Sequence, residues 1–225
     1  MGEMVEFPFA GGNTGGYLSI PEKGNGPGVV VIQEWWGLVD HIKDVCDRFA
    51  AEGFVALAPD LYHGKTAKSP DEAGKLMMAL RIDEAEKDLS AAVEYLSTLD
   101  ATTSEKSGVV GFCMGGALSL YTATKNPNIG ACVVFYGGHP KVQPDLPNLH
   151  APVLGLYAGK DGFVTPALVH ELESQLKSLG KQIEVRMYPD ADHAFFNDTR
   201  PEVYNAEASA DAWQRTIEFL RRHLG

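Results

Sequence analysis

The chain has 225 residues, 44% of them hydrophobic, which is enough to fill a full core. Its formal net charge of −11 argues against nucleic acid and anionic membrane surfaces as partners. The three cysteines, Cys46, Cys113 and Cys132, are odd in number and lack a Cys-x-x-Cys pair, so no disulfide framework is expected and a reducing cytosol suits them.

Length favours one domain over residues 1–225, a monomer or small homo-oligomer. No apolar run approaches a membrane span, and the acidic start Met1–Glu6 lacks the core of a signal peptide, so the cytoplasm is the expected location. Glu6 replaces the Ser or Thr that a myristoylation site would need. Without a secretory signal, the sequon Asn197-Asp198-Thr199 carries little weight.

Val5–Phe9 and Gly16–Ile20 read as an antiparallel hairpin, with turn chemistry from Gly11, Gly12 and Asn13. Val29–Gln33 is a β-branched run, as in a strand buried on both faces. A helix is expected over about 42–52, with Asp40 as its cap and Ile42, Val45, Cys46, Phe49 and Ala50 on its apolar face. Val55–Ala58 is a short strand. Helices are expected over 71–80 and 83–99.

The elbow strand follows, running into a helix that is apolar almost all round. Ala131–Tyr136, Val153–Ala158 and Ile183–Tyr188 are further strands, with Cys132 a core position in the first. Val169, Leu172, Leu176 and Leu179 mark one helix; Trp213, Ile217, Leu220 and Leu224 mark the last. Strands alternating with helices imply an α/β fold: a mostly parallel sheet covered on both faces.

The chemistry centres on Gly111-Phe112-Cys113-Met114-Gly115, a Gly-x-nucleophile-x-Gly turn between strand and helix. A nucleophile held there occupies strained backbone, and glycines two residues either side remove side chains that would collide. The helix N-terminus favours a thiolate at Cys113. Read alone, the turn equally fits a buried structural cysteine.

A thiol nucleophile needs a base, and the base an orienting acid. In a parallel sheet these belong on loops at the carboxyl ends of strands. Asp161 follows Val153–Ala158, and His193 follows Ile183–Tyr188. The order nucleophile, acid, histidine is that of α/β-hydrolases, whereas papain-like proteases run Cys, His, Asn. Asp190 and Asp192 are competing acids. The oxyanion hole falls to the backbone N–H groups of Met114 and Trp35. Glu34 is a carboxylate at the end of a buried strand, near the thiol; a salt bridge or helix cap is its alternative role. Metal-ligand spacing is absent among the seven histidines, and no P-loop is present, so neither metal nor cofactor is expected.

Gln33-Glu34-Trp35-Trp36-Gly37, Ala58-Pro59-Asp60-Leu61-Tyr62, Gly111–Gly116, Asp161-Gly162-Phe163-Val164 and Ala191-Asp192-His193-Ala194-Phe195 together resemble dienelactone hydrolase, along nearly the whole chain. The resemblance implies an α/β-hydrolase fold and a Cys113–His193–Asp161 triad. It also implies that Glu34 contacts the thiol and helps control its ionisation until substrate arrives. The family opens a dienelactone to maleylacetate, and many relatives are less specific esterases. The two arginines that hold the substrate carboxylate in the family align with Pro70 and Asn197, neither of them cationic; Arg81 and Arg200 lie nearby in sequence.

The expected activity is hydrolysis of small carboxylic esters or lactones through a thioester acyl-enzyme. The alternatives are a broad carboxylesterase inactive on dienelactone, a ligand-binding scaffold without turnover, and a thiol redox protein. The last would want a resolving cysteine near Cys113.

Overall fold

A computed structural model describes residues 2–9 and 12–225. In chain order the elements are β1 (Glu3–Phe9), β2 (Gly12–Ser19), β3 (Gly28–Ile32), α1 (Asp40–Ala51), β4 (Val55–Pro59), α2 (Pro70–Ala79), α3 (Ile82–Thr98), β5 (Ser107–Phe112), α4 (Met114–Ala123), β6 (Ile129–Phe135), β7 (Val153–Ala158), α5 (Pro166–Ser178), β8 (Ile183–Tyr188) and α6 (Ala206–Leu224).

The strands form one sheet in the order β1-β2-β4-β3-β5-β6-β7-β8. From β4 to β8 neighbours are parallel, and the β1–β2 hairpin joins β4 antiparallel. This is the α/β-hydrolase fold that the alternating elements and the resemblance imply.

The apolar runs explain why strands β3 to β7 are central. Every residue of β3 is buried, and alternate residues feed opposite cores. Val29 and Val31 pack with α1 and α6; Val30 and Ile32 pack with α3 and α4. A continuous β-branched run is what a strand covered on both sides requires. Cys46 on α1 and Cys132 on β6 are fully buried in these opposite cores, the packing role expected of them.

Two local expectations differ. Gly12 and Asn13 are not turn residues: they pair within β2, opposite Phe9 and Pro8, and Gly11 lies outside the described residues. The cap position of α1 is Val39, which has no capping side chain, while Asp40 is the first helical residue. A carboxylate there still complements the positive end of the helix.

The chain runs from β3 to β4 on one side, then returns to place β5 on the other. The loops after β3 and β5 therefore diverge, leaving a crevice at their carboxyl ends, where open α/β sheets place their ligands. Among the described residues no helix is long and apolar enough to cross a membrane.

Candidate active site

The elbow is built by sterics. Cys113 has φ 53° and ψ −117°, a conformation L-residues avoid. Its N–H donates to the Phe135 carbonyl (3.0 Å), and its own carbonyl accepts from Gly116 (3.0 Å) and Gly138 (3.2 Å). A Cβ on Gly111 would run into the Gly115 carbonyl, and one on Gly115 into the carbonyl of Ile32 at the end of β3. The two glycines thus let strand, turn and helix close on one another, which holds the strained residue in place.

His193 stands on the loop after β8. Its Nδ1 lies 2.6 Å from Asp161 Oδ2, on the loop after β7. The other Asp161 oxygen accepts from the N–H groups of Phe163 (2.8 Å) and Val164 (2.9 Å). Burial would raise the Asp161 carboxyl, but the hydrogen bonds with His193, Val164 and Phe163 outweigh it and hold it below its ordinary value. Burial likewise disfavours charge on His193. Asp161 and the nearby Cys113 overcome that penalty, and the imidazole is pushed up to about 10.

Of the competing acids, Asp190 is exposed and faces Lys160. Among the described residues, those with a side chain and positive φ are His63, Cys113, Tyr136 and Ala194. Cys113 and Ala194 line the reaction cavity, and the Tyr136 ring sits 5.1 Å from His193.

That cavity encloses about 420 Å³ and is lined by Cys113, His193, Asp161, Glu34, Trp35 and, among others, Arg200. Met114 opens α4, so its N–H is one of the donors a helix start leaves unpaired. Among the described residues neither the Met114 nor the Trp35 N–H has a hydrogen-bond partner.

Glu34 is buried in the same cavity. One oxygen accepts from Asn197 Nδ2 (2.8 Å), the other from the Tyr136 hydroxyl (3.4 Å). Asn197 is fixed in turn, because its Oδ1 accepts from the N–H and hydroxyl of Thr199. Arg48 and His41 on α1 pair with the adjacent Asp198 and pin this loop. Glu34 is therefore held by neutral donors rather than by the ion pair or helix cap that a carboxylate at a strand end otherwise suggests.

Pro70 opens α2, whose Met77 lines the cavity. Both nearby arginines pair with carboxylates, but Arg200, beside Glu202 (2.9 Å), reaches the cavity wall, whereas Arg81, beside Glu84 (3.0 Å), stays on the surface. Tyr136 and Met77 escaped the sequence reading. Tyr136 ends a strand that reads as pure core, and Met77 belongs to a helix with no catalytic signature.

A family model for the dienelactone hydrolase family matches residues 14–224. A protein of Aquifex pyrophilus, "Protein usf", is 43% identical over the full length of both chains. A "Putative carboxymethylenebutenolidase" of Aquifex aeolicus is 38% identical, again over both full lengths. The crystal structure titled "Putative Dienelactone Hydrolase" from Klebsiella pneumoniae superposes with a TM-score of 0.89 at 30% identity, covering 99% of this chain and 98% of that one.

Proposed function

The chain belongs to the dienelactone hydrolase family of carboxylic-ester hydrolases, and from that premise we propose that it cleaves small esters or lactones with Cys113 as nucleophile, His193 as base and Asp161 as orienting acid. The observation that carries this reading is the 2.6 Å contact between His193 Nδ1 and Asp161, in a cavity that also holds Cys113.

With Nδ1–H donated to Asp161, Nε2 takes the thiol proton and holds it, a transfer that the raised pKa of the imidazole favours. Cys113 Sγ attacks the carbonyl carbon, and the carbonyl π electrons move to oxygen. The N–H groups of Met114 and Trp35 receive that oxyanion. Collapse expels the alkoxide, which takes the proton from His193 and leaves a thioester on Cys113. A water then gives its proton to His193 and attacks the thioester. The thiolate leaves, recovers the proton and frees the acid.

Glu34, fixed by Asn197 and Tyr136, places negative charge in the same cavity and restrains the thiol until substrate binds. Arg200 is the one lysine or arginine among the described lining residues; its Nε is paired with Glu202 (2.9 Å), and the guanidinium favours substrates with a polar group beyond the scissile bond.

Cys46 and Cys132 are sealed in cores on opposite sides of the sheet, which leaves Cys113 without a resolving partner and disfavours a redox role. The test is turnover of a panel of neutral and anionic p-nitrophenyl esters and five-membered lactones by wild type and Cys113→Ala. Hydrolysis by wild type and its collapse in the variant support the reading; full activity in Cys113→Ala refutes it.

A further inference from the structure

A second cavity, of about 380 Å³, lies beside the reaction cavity. Its walls come from α4 (Leu120), the loop after β6 (Val142), and α5 (Leu168, Leu172), and they are overwhelmingly apolar. The volume is within the range of small-molecule sites. His139 is the one ionisable imidazole on its wall, and both ring nitrogens already face backbone: Nδ1 accepts from the Lys141 N–H (3.0 Å), and Nε2 lies 3.4 Å from the Met77 carbonyl. Burial pushes this imidazole below its usual value, so it is unsuited to hold a charge for a polar ligand.

Among the described residues, Phe163 alone lines both cavities. Its ring stands edge-on to His193 at 6.0 Å, and its backbone N–H holds Asp161. The ring also lies against Gly138, where a Cβ would come within 2.9 Å of it. Gly137 likewise lets the loop after β6 press against the start of α4. The partition between the cavities is thus one aromatic side chain, 52% exposed, resting on glycine. Leu168, at the rim of the second cavity, is also 52% exposed. A hydrocarbon chain lying there would cover both.

We propose that this second cavity is a chain-binding subsite of the reaction centre, entered past Phe163, and that it gives the enzyme a preference for esters bearing a medium-length hydrocarbon chain. The proposal rests on the Cys113–His193–Asp161 reading. The occupant is the substrate's own chain, because the cavity adjoins the reacting groups at Phe163 and, apart from His139 and the Tyr157 hydroxyl, its lining side chains are apolar. Each methylene taken from water into such a cavity adds up to about four-fold in affinity.

The test is the long-to-short ratio of kcat/KM in two series: p-nitrophenyl octanoate over acetate, which varies the acyl chain, and hexyl over ethyl acetate, which varies the alcohol. In at least one series Leu172→Trp, which fills the cavity, should lower the ratio ten-fold or more. Phe163→Ala, which removes the partition, should raise it at least five-fold. The double variant should fall back to the Leu172→Trp value. The series that responds identifies the end of the ester the subsite takes. Thermal melting verifies that each variant is folded; should Leu172→Trp fail, Leu168→Trp on the rim replaces it. Ratios within two-fold of wild type in both series, with turnover still dependent on Cys113, overturn the subsite alone. Turnover that survives Cys113→Ala overturns the catalytic reading instead.

Discussion

The turn from β5 to α4 and the loop from β7 to α5 both leave the carboxyl edge of the sheet and both supply the reaction cavity, yet they are built on opposite terms. In the first, Gly111 and Gly115 have no room for a methyl group, and Cys113 sits in disfavoured backbone that the surrounding hydrogen bonds impose. In the second, a Cβ on Gly162 would meet nothing within 4 Å, and Phe163 is half exposed. Reactive groups sit where packing leaves one conformation; the groups that face the rest of the substrate sit where side chains can change freely. The start of that loop and Asp161 are its constrained parts: a Cβ on Gly159 would run into the Pro189 backbone, and His193 and two backbone N–H groups hold Asp161.

That contrast can be broken most severely at Asp161. Asp161→Asn should keep the fold and lower kcat by roughly four orders of magnitude, through loss of the correct histidine tautomer. Steady-state kinetics on a p-nitrophenyl ester, with a melting curve alongside, decides it; a loss below ten-fold would place the acid elsewhere, at Asp190 or Asp192.

The glycines sharpen the comparison directly. Gly115→Ala should destabilise by about 3 kcal/mol or more, since the methyl meets rigid backbone. Gly162→Ala should stay within about 0.5 kcal/mol of wild type. Denaturant melts of the two give the answer, and similar values would dissolve the distinction between the two turns.

Glu34 belongs to the constrained side, tied to Asn197 and Tyr136. Glu34→Gln should let resting Cys113 react several-fold faster with iodoacetamide at neutral pH while ester turnover falls. Labelling rates followed by peptide mass spectrometry test this. An unchanged or slower rate would leave Glu34 a structural residue only.

A further effect is on stability against pH. In the folded chain His193 is pushed up to about 10 from an ordinary value of 6.5. A raised pKa means the folded state binds the proton more tightly, so the stabilisation is complete below about 6.5, declines above it and is gone beyond about 10. The melting-temperature gap between wild type and His193→Gln should therefore be largest near pH 6 and shrink as pH rises. A gap that widens would reverse the sign and refute the assignment.

Much of this was legible in the sequence because its causes are local. A β-branched run such as Val29–Ile32 can hardly be anything but a doubly covered strand, and glycines two residues either side of Cys113 announce the tight turn. The order of Cys113, Asp161 and His193 is likewise a property of the chain.

What stayed hidden depends on how separate loops meet. The hold of Asn197 on Glu34 joins positions far apart in the chain, and nothing in either loop encodes it alone. Arg200 and Arg81 look alike as sequence, but only the fold sends one to the cavity and the other to the surface. The cap of α1 was obscured for a simpler reason: Asp40 is a good capping residue, but Val39 carries the extended backbone that precedes the helix.

The central claim is that Cys113 carries the acyl group during turnover. The direct measurement is rapid acid quench of the enzyme with p-nitrophenyl acetate, followed by peptide mass spectrometry. The account predicts an acetyl group on the Cys113 peptide, labile to hydroxylamine as a thioester should be and absent in Cys113→Ala. Acetylation of another residue that keeps pace with turnover, with the Cys113 peptide unmodified throughout, would contradict it.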